Sequence, residues 1–353
     1  MNLDSRAEMA ALDPSGMREH LEQFPDQLRA AAVTGRETPV SVSATGVRSV
    51  AVVGMGGSAI GGEMAAGYLA DGLRVPLEVV RDYRLPGHVD SDTLVYVSSY
   101  SGNTEETLSC YEEARERGAR IVVSTTGGEV GRIAQECGHD RVPVPTGYPP
   151  RAALGFGLVP LLFVLARLGL APNPSKDVDD AVAVCEDGVA RLGLDVPSAD
   201  NEAKEIAAWF HGHAPVIYGS APATSVVANR WCGQLSENSK VVAHRNELPE
   251  MNHNEIVGWS GPPSLGGGAR VVFLRDSDDH SRVVRRADFT RDAIARTGAE
   301  VRDVASAGST RLARLLSLVQ VGDFVSYYLA ALGGVDPTPV VPIDELKAEL
   351  ARF

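Results

Sequence analysis

The sequence predicts an α/β protein with two doubly wound parallel sheets and helices on both faces. Two observations carry that expectation. Short apolar runs alternate with helical patterns of ten or more residues, a spacing that requires parallel crossovers. The order strand, small-residue turn, helix, strand, helix, strand also occurs twice, which suggests duplication. With 353 residues, 44% of them hydrophobic, the chain has room for two such units and a substantial core.

Taken in order, residues 1–45 read as a polar helical segment, with Asp13-Pro14-Ser15 as a start signal. Residues 46–170 form the first predicted domain. Its strands are Val50–Val53, Leu77–Val80, Leu94–Val97, Arg120–Ser124 and Val142–Val144. Helices are predicted after Gly54–Gly62, from Glu105 to about Arg117, and through Ile133. Pro172-Asn-Pro-Ser175 breaks the pattern, and residues 171–210 read as a helical connector. The second domain, 211–353, restarts with strand Ala214–Tyr218 and helix Thr224–Glu237. Strand Arg270–Leu274, helix Arg282–Arg296, strand Glu300–Val304 and the long helix Leu312–Leu332 follow.

A net charge of −13 argues against a nucleic-acid partner, which needs a basic face. It does not forbid an anionic substrate in a locally positive pocket. The four cysteines (Cys110, Cys137, Cys185, Cys232) form no CxxC and fit buried free thiols in a reducing cytoplasm. The N-terminus carries Asp4, Arg6 and Glu8 instead of a basic stretch followed by an apolar one, so a cytoplasmic location is expected. Ala152–Ala166 is uncharged but shorter than the roughly 20 residues of a membrane span, and reads as a helix buried in a core or subunit interface.

The most informative stretch follows strand Leu94–Val97. Ser98, Ser99, Ser101, Gly102, Asn103 and Thr104 crowd a turn that feeds a helix. Free amides of a first helical turn, the positive end of the helix dipole and several hydroxyls together make an anion pocket. The turn has no lysine, so it is not a nucleotide P-loop. Donors without a cation suit a single phosphomonoester such as a sugar phosphate. The competing reading is ordinary helix capping by Ser, Asn and Thr. The matching turn of the second half, Asp276-Ser-Asp-Asp279, carries three carboxylates that would repel phosphate, so one phosphate pocket per chain is expected.

The first glycine turn, Gly54–Gly62, admits two readings. It approximates the dinucleotide pattern G-x-G-x-x-A, with Glu78 and Asp82 near the position of the ribose-binding acid. Alternatively its glycines, Gly57 among them, let backbone approach a sugar phosphate, with Ser58 as a donor. Other candidates are scattered. Arg151, between Pro149-Pro150 and an apolar helix, suits an anion or enediolate contact or a plain helix-flanking role. Glu237, near a helix end, suits a general base or a solvated carboxylate. His253 lies between Asn252 and Asn254, whose hydrogen bonds could fix its tautomer. His211-Gly-His213 lacks a third ligand at a recognised spacing, so no metal is assigned.

In combination, Gly56-Gly57-Ser58, the run 99–107 (SYSGNTEET), Pro150-Arg-Ala-Ala153, Ser236-Glu-Asn-Ser-Lys240 and Glu250-Met-Asn-His-Asn254 resemble the bifunctional phosphoglucose/phosphomannose isomerases. These are proteins of two sugar-isomerase (SIS) domains, and the resemblance runs from about residue 50 to the C-terminus. It implies that Ser58, Ser99, Ser101 and Thr104 hold the phosphate of a hexose 6-phosphate. It implies Glu237 as the base that moves a proton between C1 and C2 through a cis-enediolate, and Arg151 as the group facing the enediolate charge. His253 would open the sugar ring from the partner subunit of a homodimer, with Lys347 assisting. Neither metal nor cofactor is implied. Two alternatives come from other classes: a non-catalytic sugar-phosphate-binding SIS protein, and a nicotinamide dehydrogenase built on Gly54–Gly62.

Overall fold

The computed structural model describes residues 1–261 and 268–352. Three helices open the chain: α1 (Arg6–Leu12), α2 (Met17–Glu22) and α3 (Phe24–Glu37). Asp13 starts α2 as expected, its carboxylate accepting from Met17 N and Arg18 N at 2.8 Å each. The polar reading of this segment is corrected, because Met9, Met17, Leu21, Phe24 and Leu28 are all buried. Interspersed glutamates and arginines hide an apolar stripe that docks on the main core.

The first sheet comprises β1 (Ser49–Val53), β2 (Leu77–Val80), β3 (Thr93–Ser99), β4 (Arg120–Thr125) and β5 (Asp140–Pro143), in order β2-β1-β3-β4-β5, all parallel. Its connecting helices are α4 (Gly56–Tyr68), α5 (Glu105–Glu116) and α6 (Gly128–Cys137). Alternate residues face opposite ways, the period-two rule of a strand. Val95, Val97, Ile121 and Val123 meet Cys110, Tyr111 and Ile133 of α5 and α6. Val50, Val52, Leu94 and Tyr96 meet the core that holds α3, α4 and the next helix, α7 (Leu154–Arg167). The fifth strand begins two residues before its predicted start. The Asp140 carboxylate accepts from Ser41 N, Ser41 Oγ and Val42 N, which ties the strand's first residue to the N-terminal segment.

Helices α8 (Ser175–Leu192) and α9 (Glu202–Phe210) lead to the second sheet. Its strands are β6 (Ala214–Ser220), β7 (His244–Leu248), β8 (Ala269–Arg275) and β9 (Glu300–Ala305), parallel in order β7-β6-β8-β9. The helices of this half are α10 (Thr224–Ser239), α11 (Glu255–Gly258), α12 (Ser281–Ala295), α13 (Arg311–Leu332) and α14 (Val341–Leu350). Strand β7 was not foreseen. Its residues, His-Arg-Asn-Glu-Leu, lack an apolar run because it is an edge strand with only Leu248 buried.

One continuous apolar cluster joins inner-face residues of both sheets, with α7 and α13 running through it. The expectation of a buried helix near 152–166 is met by α7, from Leu154 to Leu165 buried at every position but Gly157. Helix α13 is long and apolar enough to cross a membrane, yet 94% of its apolar window is buried inside the protein. Cys110 and Cys185 are buried and Cys232 half-buried, but Cys137 is exposed at the end of α6, against the expectation for all four.

Candidate active site

The hydroxyl-rich turn lies between β3 and α5, at the carboxyl end of the parallel strands where such folds bind ligands. Its shape is held by its own side chains. Ser99 Oγ accepts from Gly102 N at 3.1 Å and pairs with Thr104 Oγ1 at 3.2 Å. Gly102 has φ +70°, and a Cβ there would collide with Gly127 O, so only glycine fits. Asn103 turns away, its Oδ1 accepting from Glu129 N at the start of α6.

Thr104 is the N-cap residue of α5, yet its side chain caps nothing because it is engaged with Ser99. Among the described residues, the first-turn amides of Glu105, Glu106 and Thr107 have no hydrogen-bond acceptor. Thr107 Oγ1, buried in the same turn, also lacks a partner. The capping reading of this turn therefore fails, and its donors stay available.

Ser58, in the first turn of α4, approaches the same turn. Its Oγ accepts from Tyr100 N at 3.1 Å, which leaves its own proton free to donate. Ser101 Oγ likewise accepts from Asn103 N at 3.2 Å and stands exposed. Ser98, by contrast, spends its hydroxyl on Ser58 O at 3.2 Å and serves the scaffold. Gly57 is glycine for a reason other than ligand approach. A Cβ there would lie 2.7 Å from Pro150 C and O, so the backbone over the glycine turn is protein. The acids expected by the dinucleotide reading are also engaged elsewhere: Glu78 pairs with His88 at 2.8 Å and Asp82 accepts from Tyr83 N at 2.6 Å.

That packing brings Arg151 in. It sits in a short 3-10 turn, Pro150–Ala152, and is only 4% exposed, far from the surface residue of the alternative reading. Its Nε donates to Asn238 Oδ1 at 2.6 Å, and Nη2 donates to the carbonyls of Pro337 and Thr338 at 2.7 and 2.8 Å. Among the described residues Nη1 has only Glu237 Oε2, at 3.4 Å. Two corners of the guanidinium, Nε and Nη2, are thus fixed, and the third, Nη1, faces the carboxylate of Glu237, which is partly exposed in the last turn of α10. Burial pulls the Arg151 pKa down, opposed by the charge of Glu237; an arginine remains charged regardless. The N-terminal segment buttresses this turn, with Gln27 bridging Ala152 O and Gly155 N.

Residues that the sequence reading did not single out complete the site. Asn238 and the carbonyls of Pro337 and Thr338 hold Arg151 across 87 to 187 residues of chain, beyond any local pattern. Beside them Thr338 Oγ1 is buried without a partner among the described residues. Lys240, with φ +58°, closes α10 and donates to Glu237 O at 2.6 Å; burial, then the charge of Arg151, lower its pKa.

Two predicted residues stand apart from this cluster. His253 is exposed in the 3-10 turn Glu250–His253. Its flanking asparagines do not fix it: Asn252 Nδ2 donates to Thr290 Oγ1 and Asn254 Nδ2 to Glu250 Oε1. Lys347 lies on α14, exposed along its whole length. Among the described residues neither side chain makes a hydrogen bond or ion pair within the chain.

Comparison with known proteins places the chain in a family. The family described as the bacterial phospho-glucose isomerase C-terminal SIS domain matches residues 199–350. A bifunctional phosphoglucose/phosphomannose isomerase of Caldicellulosiruptor bescii is 44% identical over 96% of this chain and 99% of that protein. Another, of Aquifex aeolicus, is 40% identical over 87% and 92%. In fold, a hypothetical protein of Thermus thermophilus aligns with a TM-score of 0.75 at 16% identity, over 98% of this chain and 93% of that one. At that full-length identity to the first two relatives, the chain belongs to the bifunctional phosphoglucose/phosphomannose isomerase family.

Proposed function

We propose that this chain interconverts glucose 6-phosphate and mannose 6-phosphate with fructose 6-phosphate through a cis-enediolate. The observation that carries the reading is the facing pair of Arg151 Nη1 and Glu237 Oε2, with every other donor atom of the guanidinium tied down. An aldose–ketose isomerisation needs a base beside C1 and C2, a donor for the oxyanion and a grip on the remote phosphate.

In this reading the hydroxyls of Ser58, Ser101 and Thr104, the last paired with Ser99, take the phosphate with the open amides of α5. Gly57 contributes through its backbone N–H, which has no acceptor among the described residues. Glu237 removes the proton from C2 of the aldose and returns it to C1. Nη1 of Arg151 donates to the enediolate oxygen as charge develops there. The chain divides into two SIS units, 46–170 and 211–353, the first gripping the phosphate and the second giving the base. A cytoplasmic location suits a substrate of this kind.

His253 opens the ring in the site of a second copy, so the working unit is a homodimer, and Lys347 assists from the C-terminal helix. The exposure of His253 and its lack of intrachain partners favour that role. So do exposed apolar side chains nearby in sequence: Val257 is 70% exposed, and Leu346 on α14 is 59% exposed.

A coupled assay with glucose 6-phosphate and mannose 6-phosphate, with EDTA present, tests the reading. Turnover of both sugars is expected. Tight binding without turnover would favour the non-catalytic sugar-phosphate-binding alternative. A mixed dimer of Glu237→Gln and His253→Ala chains should regain activity, since one of its two sites is then intact; no rescue would put both groups in one chain.

A further inference from the structure

Arg151 is held at two points by a single turn of α13. Asp323 accepts from Arg230 Nη2 at 2.7 Å and Nε at 3.1 Å, and Arg230 Nη2 also donates to Arg151 O at 3.0 Å. One turn on, Ser326 Oγ donates to Asp323 O at 2.7 Å and accepts from Asn238 Nδ2 at 2.9 Å. Asn238 then presents Oδ1 to Arg151 Nε at 2.6 Å. The first arm fixes the arginine's backbone and the second fixes its side chain. Asn238 and Ser326 are fully buried, so their hydrogen bonds do not compete with water.

We propose that Asn238 is a positioning residue: locked by Ser326, its amide sets the roll of the Arg151 guanidinium so that Nη1 faces Glu237. The Nη2 carbonyl contacts alone leave the plane free to tilt about that corner, and Nε is the donor that removes this freedom. Asn238 touches no reacting atom in this account. The inference rests on the proposed role of Arg151 as the enediolate donor.

The test is a double-mutant cycle in the intact protein with Asn238→Ala and Arg151→Lys. Lysine has no Nε–H for Asn238 to hold. Asn238→Ala is expected to lower kcat by about 30- to 100-fold, with KM changed less than about threefold. Affinity for arabinonate 5-phosphate, whose carboxylate mimics the enediolate, should fall in parallel, whereas affinity for sorbitol 6-phosphate should hold. In the Arg151→Lys background the same substitution should cost less than about threefold further. Additive losses in the cycle, or an equal loss of sorbitol 6-phosphate binding, would overturn the positioning role and leave Asn238 a packing residue. Wild-type kcat in Arg151→Lys alone would overturn the role of Arg151 instead. Ser326→Ala, which removes the lock and keeps the amide, should reproduce a smaller kcat loss at constant KM if Asn238→Ala does not fold; unchanged kcat there would count against the proposal.

Discussion

The turn after β3 and the turn after β8 occupy the same station in two sheets whose strand orders run β2-β1-β3-β4 and β7-β6-β8-β9. Their chemistry is opposite. The first offers hydroxyls and first-turn amides without acceptors. The second is already filled by the protein itself. Asp276 accepts from buried Arg314 at 2.6 Å, Asp278 pairs with Arg311 and Arg314 at 3.2 and 3.1 Å, and Asp279 accepts from Ser220 Oγ at 3.2 Å. Repulsion by three bare carboxylates was therefore only part of the reason to expect no phosphate there. Two of those carboxylates are neutralised internally, and the turn serves as a structural lock. The same turn position can thus keep open donors in one sheet and become an ion-paired strut in the other.

The largest effect that sharpens this division concerns Glu237, the base proposed in the second half. Glu237→Gln should lower kcat by about a thousandfold while fructose 6-phosphate affinity stays nearly unchanged, read by steady-state kinetics and calorimetry. An equal loss of binding would remove Glu237 from proton transfer.

Next comes the strut. Asp276→Ala leaves Arg314 buried without its main counter-charge and should cost about 3 kcal/mol of stability, measured by denaturant unfolding, with KM unchanged. A raised KM with intact stability would mean that the second turn also meets substrate.

Writing the second turn's chemistry into the first should break the grip. Ser101→Asp adds a carboxylate beside a phosphate dianion and should raise KM about a hundredfold, with a much smaller change in kcat. The reverse pattern would take Ser101 out of the phosphate site.

The smallest effect lies in Asp279. Desolvation is the main cause that raises its pKa above the ordinary aspartate value. A raised folded-state pKa means that ionised Asp279 costs stability at neutral pH, a cost absent once the group is protonated in both states. Asp279→Asn should therefore raise Tm by about a degree or two at pH 7, with the gain vanishing below about pH 4. A Tm gain that persists in acid would point to a packing effect.

Much of this was legible in the chain. The alternation of apolar runs gave the sheets, because parallel strands buried on both faces cannot hide their composition. The motif 99–107 marked the turn with open donors, because those donors are consecutive in sequence. What stayed illegible was made by distance or by the edge. Strand β7 has too few apolar residues to announce itself. Asn238 sits one residue from Glu237 in a conspicuous motif, yet its role depends on Arg151 and Ser326, each nearly ninety residues away. The asparagines around His253 looked like tautomer anchors in sequence, but both were already committed to Thr290 and Glu250.

The central claim is that the turn between β3 and α5 grips the phosphate. The most direct measurement is a crystal structure of the Glu237→Gln protein with fructose 6-phosphate. The account predicts phosphate oxygens within hydrogen-bond distance of Ser58, Ser101 and Thr104 and of the amides that open α5, with the sugar reaching toward Arg151. A phosphate seated elsewhere, for instance on Arg282, Arg285 and Arg286 in the groove beside Asn252, would contradict it.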